Sequence, residues 1–127
     1  MNLEKVVFSF FMILALTLNF GFFIGEVDNP AHHNVSELYA VLVVNLIATV
    51  MKFGDRSQLG AMLLATSLVA VVQLISATIV WTFAVHVQET GLTPDVMSMI
   101  VSLSGGAMLA NIISVILLMI EAAMLRH

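Results

Sequence analysis

The stretch Val101-Ser102-Leu103-Ser104-Gly105-Gly106-Ala107-Met108-Leu109-Ala110-Asn111-Ile112-Ile113-Ser114 decides how the rest of the chain is read. It carries no charge, so hydrocarbon can surround it. Ser102, Gly106, Ala110 and Ser114 recur every four residues and so share one helix face. In lipid, small residues at that spacing let two helix backbones approach closely. Asn111 lies beside that face, in line with Ser104, Ala107 and Ser114. An amide without a partner is costly in hydrocarbon, so this face must turn inward against other helices. The stretch predicts a membrane helix with a close-packed, partly polar inner side.

The remainder agrees. The chain has 127 residues, 61% hydrophobic and 9% charged, against about 25% charged in soluble domains. Four apolar runs stand out, Val6–Gly25, Leu38–Phe53, Ala61–Val87 and Val96–Leu125, and a spanning helix needs about 20 apolar residues. The sequence therefore predicts an all-α, polytopic membrane protein. It is one domain over 1–127, with four transmembrane helices at about 5–25, 37–53, 60–87 and 94–125. The last two runs exceed a bilayer's thickness and must tilt, kink or project, with Gly105-Gly106 marked as the kink. The first run lacks a small-x-small cleavage site and reads as a retained anchor. There are no cysteines, which excludes disulfides and thiolate metal sites.

Polar breaks separate the runs. Asn29-Pro30 marks a turn, and Asn34 or Ser36 is placed to cap the second helix. Gly54–Gln58 reads as a tight hairpin. Thr93-Pro94-Asp95 reads as an N-cap, an N1 proline and a first-turn acid. With four spans, Lys5, Lys52, Arg56 and Arg126 all fall on one side, so the positive-inside rule places both termini in the cytoplasm. The opposite side carries an outer acidic rim of Glu26, Asp28, Glu37, Glu89 and Asp95, together with His32, His33 and His86. Asn45–Val50 resembles Asn111–Ile116, which suggests two repeated helical hairpins in parallel orientation.

Each run contains one side-chain amide: Asn19, Asn45, Gln73 and Asn111. Counting along the spans puts Asn45, Gln73 and Asn111 near mid-bilayer and Asn19 about a turn further out. Thr49, Ser104 and Ser114 lie in line with them. One reading is interhelical glue, each bond being worth about 0.6–2 kcal/mol. The other is a polar pathway in which amide oxygens replace part of a small cation's hydration shell, fed by the acidic rim. The discriminating feature is whether the amides converge on a water-accessible axis or on one another. Thr17, Gly21 and Gly25 give the first run a small-residue packing face of its own. Glu121 is expected to pair with Arg126, Lys52 or Arg56.

Nothing in the chain points to catalysis, a cofactor or nucleic acid. His32 and His33 are the residues a metal would use, with Asp28 nearby, but adjacent loop histidines lack the i, i+4 spacing of a helical metal site. A solvated loop is the expectation, with proton sensing as the alternative. The function expected is an oligomeric small-cation channel or transport component in a lipid bilayer. The alternative is a non-catalytic accessory or scaffold subunit of a larger membrane complex.

Three stretches are similar to a family of small bacterial inner-membrane proteins of unknown function. They are Leu18–Gly25, Val44–Val50 with Lys52-Phe53-Gly54-Asp55-Arg56, and Ser102–Gly106. The resemblance implies a four-helix protein of the bacterial inner membrane and no activity. Small multidrug exporters carry a glutamate in the middle of their first helix, which this chain lacks.

Overall fold

The computed structural model describes residues 3–88 and 91–125. Helices α1 (Leu3–Phe23), α2 (Val35–Lys52), α3 (Gln58–His86) and α4 (Pro94–Leu125) carry the fold, with one 3₁₀ turn at Pro30–His32. The described residues contain no strand. All four helices are long and apolar enough to cross a membrane. At 1.5 Å per residue, α3 and α4 are each over about 40 Å long and exceed a hydrocarbon core of about 30 Å.

The helix boundaries follow local chemistry. Asn34 caps α2, its side chain accepting from the Ser36 N–H at 2.8 Å. Ser57 caps α3, accepting from the Gly60 N–H at 2.9 Å. Thr93 accepts from the Val96 N–H at 3.2 Å, ahead of Pro94 at the start of α4. The first helix stops two residues before its expected end. Gly25 has φ +111°, a left-handed conformation that takes it out of the helix and into the turn. It therefore does not extend a packing face with Thr17 and Gly21. Thr17 is exposed, and its hydroxyl donates to the Leu14 carbonyl. Gly21 makes room for the Glu37 carboxylate.

The helices form a closed ring in which each packs on its neighbour in sequence and α4 returns to α1. Helices α2 and α4 therefore face each other across the bundle axis. The core divides into two clusters. One, toward the acidic end, includes Phe22, Leu38, Leu74, Trp81, Met97 and Ile100. The other, toward the basic end, joins Phe8, Met12, Ala48, Leu63 and Leu117. Along α2 and α4 the clusters are separated by Asn45 and Asn111. Large apolar side chains such as Phe10, Val50, Val72, Ile79, Leu109 and Met119 point outward. Helices apolar on both faces are the signature of a bundle surrounded by lipid.

Helix α4 runs through Gly105-Gly106 without interruption. Here the glycines are sockets for side chains. A Cβ on Gly105 would meet the Phe23 ring at 2.8 Å, and one on Gly106 would meet the Gln73 amide. Of the four-residue ladder, Ala110 and Ser114 are buried, Gly106 is half-buried under Gln73, and Ser102 is exposed.

Candidate functional site

Three asparagines from three helices meet inside the bundle, each with no exposed surface. Asn45 on α2 and Asn111 on α4 bond reciprocally across the axis. The Asn45 Nδ2 donates to Asn111 Oδ1 at 2.9 Å, and the Asn111 Nδ2 donates to Asn45 Oδ1 at 3.0 Å. The Asn111 Nδ2 also donates to Asn19 Oδ1 of α1 at 3.1 Å. Asn19 in turn donates from Nδ2 to the Ser104 carbonyl at 2.9 Å. Asn19 thus spans the rise along α4 from Asn111 to Ser104, which is how a residue a turn beyond the others joins them.

The surrounding hydroxyls are also spent inside the protein. Thr49 donates to the Asn45 carbonyl at 2.7 Å, and Ser104 to the Val101 carbonyl at 3.2 Å. Ser114 and Thr66 share a 2.6 Å bond between α4 and α3. Each amide oxygen of the asparagine cluster accepts at least one N–H. In low dielectric, a mutually satisfied network is rigid, and removing one member strands the others.

Of the four amides expected in the polar layer, Asn19, Asn45 and Asn111 bond to one another and Gln73 stands apart. Gln73 lies against Gly106, and its Oε1 is buried without a hydrogen-bond partner. The offset along the helix axis separates them: Thr66, on the same face of α3 as Gln73, meets α4 at Ser114, whereas Gln73 meets it at Gly106, five residues and about 7.5 Å from Asn111.

At the basic end, Lys52 is 8% exposed, with Nζ 3.5 Å from Asp55 and 4.2 Å from the centroid of the Phe8 ring. Such a cation over an aromatic face is stabilised by the ring quadrupole. Glu121 pairs with Lys5 at 3.5 Å, which corrects the expected partners Lys52 and Arg56. Closure of α4 onto α1 brings the start of one helix to the end of the other. Arg126 lies outside the described residues. Glu4, Lys5, Lys52, Asp55, Ser57 and Glu121 line a cavity of about 300 Å³ there. The Asp55 carboxyl is held below its ordinary 3.8, chiefly by the Ser57 backbone N–H, then by the Ser57 hydroxyl; burial opposes them, and Lys52 lowers it further.

At the other end, Glu26, Asp28 and Asp95 are exposed, and Glu37 is half-buried against Gly21. Glu89 lies outside the described residues. His33 does not belong to a solvated loop: it is buried, with both ring nitrogens turned to backbone carbonyl oxygens of Phe22 and Glu26. His32 accepts the Glu26 N–H. These bonds, which no spacing rule in the sequence foretells, occupy both nitrogens of His33 and Nδ1 of His32.

Fold and site together define a multi-pass, four-helix membrane bundle cross-linked at its centre by carboxamides. Residues 32–122 match the family model described as a family of unknown function (DUF6394), and the chain belongs to that family. No curated protein and no solved structure matches it.

Proposed function

We propose that this chain is a non-catalytic structural component of a membrane assembly, the accessory role rather than the channel. One observation carries the reading: the central amides converge on one another, and all three asparagines are without exposed surface. A hydrated cation crossing the middle of the bundle would have to break the Asn45–Asn111 pair and separate α2 from α4. The channel reading keeps only the space between chains of an oligomer, fed by Glu26, Asp28, Glu37 and Asp95. Lys5, Lys52 and Arg56 at one end favour a cytoplasmic location for that end under the positive-inside rule. The bacterial inner membrane is the setting that the resemblance of sequence supports.

In this role the lipid-facing surfaces of the bundle meet a membrane-protein partner or further copies of the chain. The test is extraction of the tagged full chain in mild detergent, followed by native mass spectrometry and cation-flux assays in liposomes. The expected result is a defined complex and no flux. Bare monomer under every condition overturns the assembly role. Cation flux that falls in stable Asn45→Leu or Asn111→Leu variants overturns the preference for structure over transport.

A further inference from the structure

The loop between α1 and α2 holds two adjacent rings that the assembly role does not use. His33 is 4% exposed, its Nδ1 lies 2.5 Å from the Phe22 carbonyl oxygen, and its Nε2 lies 2.7 Å from the Glu26 carbonyl oxygen. Carbonyl oxygens only accept. A neutral imidazole has one N–H and one lone pair, so it serves one of these oxygens and turns its lone pair toward the other. An imidazolium donates to both. Phe22 is in the last turn of α1, where carbonyls lack helical partners and the helix dipole favours a cation.

His32 behaves in the opposite sense. Its Nδ1 accepts the Glu26 N–H at 2.9 Å, which requires that nitrogen to be unprotonated. The Glu26 residue is thus held by its N–H on His32 and by its C=O on His33. The His33 ring also packs on Phe22 with centroids 5.5 Å apart, and Phe22 packs on Trp81 of α3 at 6.2 Å.

We infer that His33 is a proton-operated latch on the loop at the acidic end of the bundle. With the ring doubly protonated, the end of α1 and the Glu26 turn are both tied to it. As pH rises and the ring loses a proton, one tie is released and the loop over Phe22 and Trp81 loosens. Among the described residues, the other titratable groups at this end are Glu26, Asp28 and His32 on the loop, Glu37 and Tyr39 on α2, His86 on α3 and Asp95 on α4. His32 and His86 are the other imidazoles among them, which is why each is varied in the test below. The inference stands apart from the assembly role and survives its failure.

The test uses the full chain in lipid nanodiscs from pH 5.5 to 8. Nitrogen-15 spectra of selectively labelled histidine read ring protonation, and hydrogen exchange of residues 24–33, corrected for intrinsic rates, reads the loop. Both His33 nitrogens are expected to carry protons at pH 5.5. Protection is expected to fall roughly tenfold or more as they lose one, as for a lost charged hydrogen bond. His33→Gln abolishes that pH dependence, whereas His32→Gln, His86→Gln and Glu37→Gln keep it. A neutral His33 ring in the protected loop at pH 5.5, a flat wild-type profile, or a profile unchanged by His33→Gln overturns the latch. If His33→Gln fails to fold, the wild-type chain decides. Coincident midpoints for ring deprotonation and loss of protection support the latch, and separated midpoints overturn it.

Discussion

Asn111 is the residue on which the centre of the bundle depends, because it bonds to both other asparagines. Asn111→Leu leaves the buried Asn19 and Asn45 partly unpaired and is expected to destabilise the bundle by about 1–3 kcal/mol. Denaturant unfolding in mixed micelles measures it. A double-mutant cycle over Asn45 and Asn111 should return a coupling of roughly 0.5–2 kcal/mol, within the range of interhelical bonds in membranes. Coupling near zero would mean that water or other groups replace the pair. Glycine positions differ just as sharply. Gly25→Ala places a side chain at φ +111° and 2.7 Å from the His32 Cβ, whereas Gly54 at φ +94° has nothing within 4 Å of its Cβ site. Gly25→Ala should therefore cost more than Gly54→Ala, the first exceeding about 1 kcal/mol. The same unfolding assay compares them.

At the scale of the element, helix ends are where sequence reading succeeds most fully. Asn34 and Thr93 are legible because capping uses short polar side chains at fixed offsets from an apolar run. Ser57 adds a testable coupling between a cap and a charge. Ser57→Ala should cost about 1 kcal/mol of stability through the lost cap of α3. It should also move the Asp55 titration back toward 3.8 without reaching it, since the Ser57 backbone N–H still donates to Asp55. Carbon-13 titration of the side-chain carboxyl reads this. The sign is that of a depressed carboxylic acid: its contribution is complete above the ordinary value of 3.8 and is lost as pH falls through the lower folded value. Gly105-Gly106 shows where element-level reading stops. Glycine pairs permit a kink or a socket, and Phe23 and Gln73, from other helices, make this one a socket.

For the whole molecule, the ring of helices fixes which end of each helix meets which. Lys5 reaches Glu121 only because α4 closes on α1. The chain has no native cysteine, so single cysteines report position cleanly. Asp28→Cys and Asp95→Cys should react with a membrane-impermeant maleimide from one face of oriented vesicles, and Asp55→Cys from the other. Asn111→Cys should react from neither until the bundle is denatured. Labelling of Asp55→Cys and Asp95→Cys from one face would contradict the four crossings.

By itself the sequence determined the four spans, their alternation, the caps and the segregation of charge, since each follows from runs of residues and the cost of exposing polar groups to hydrocarbon. It also determined that Asn45 and Asn111 must be buried. Only the tertiary structure decided that Asn19, not Gln73, completes their cluster, that Glu121 takes Lys5, and that His33 sits between two carbonyl oxygens. Those outcomes depend on how far each helix is rotated and shifted along its axis. Rotation and shift are set by the packing of all four helices together, so no single run of residues encodes them.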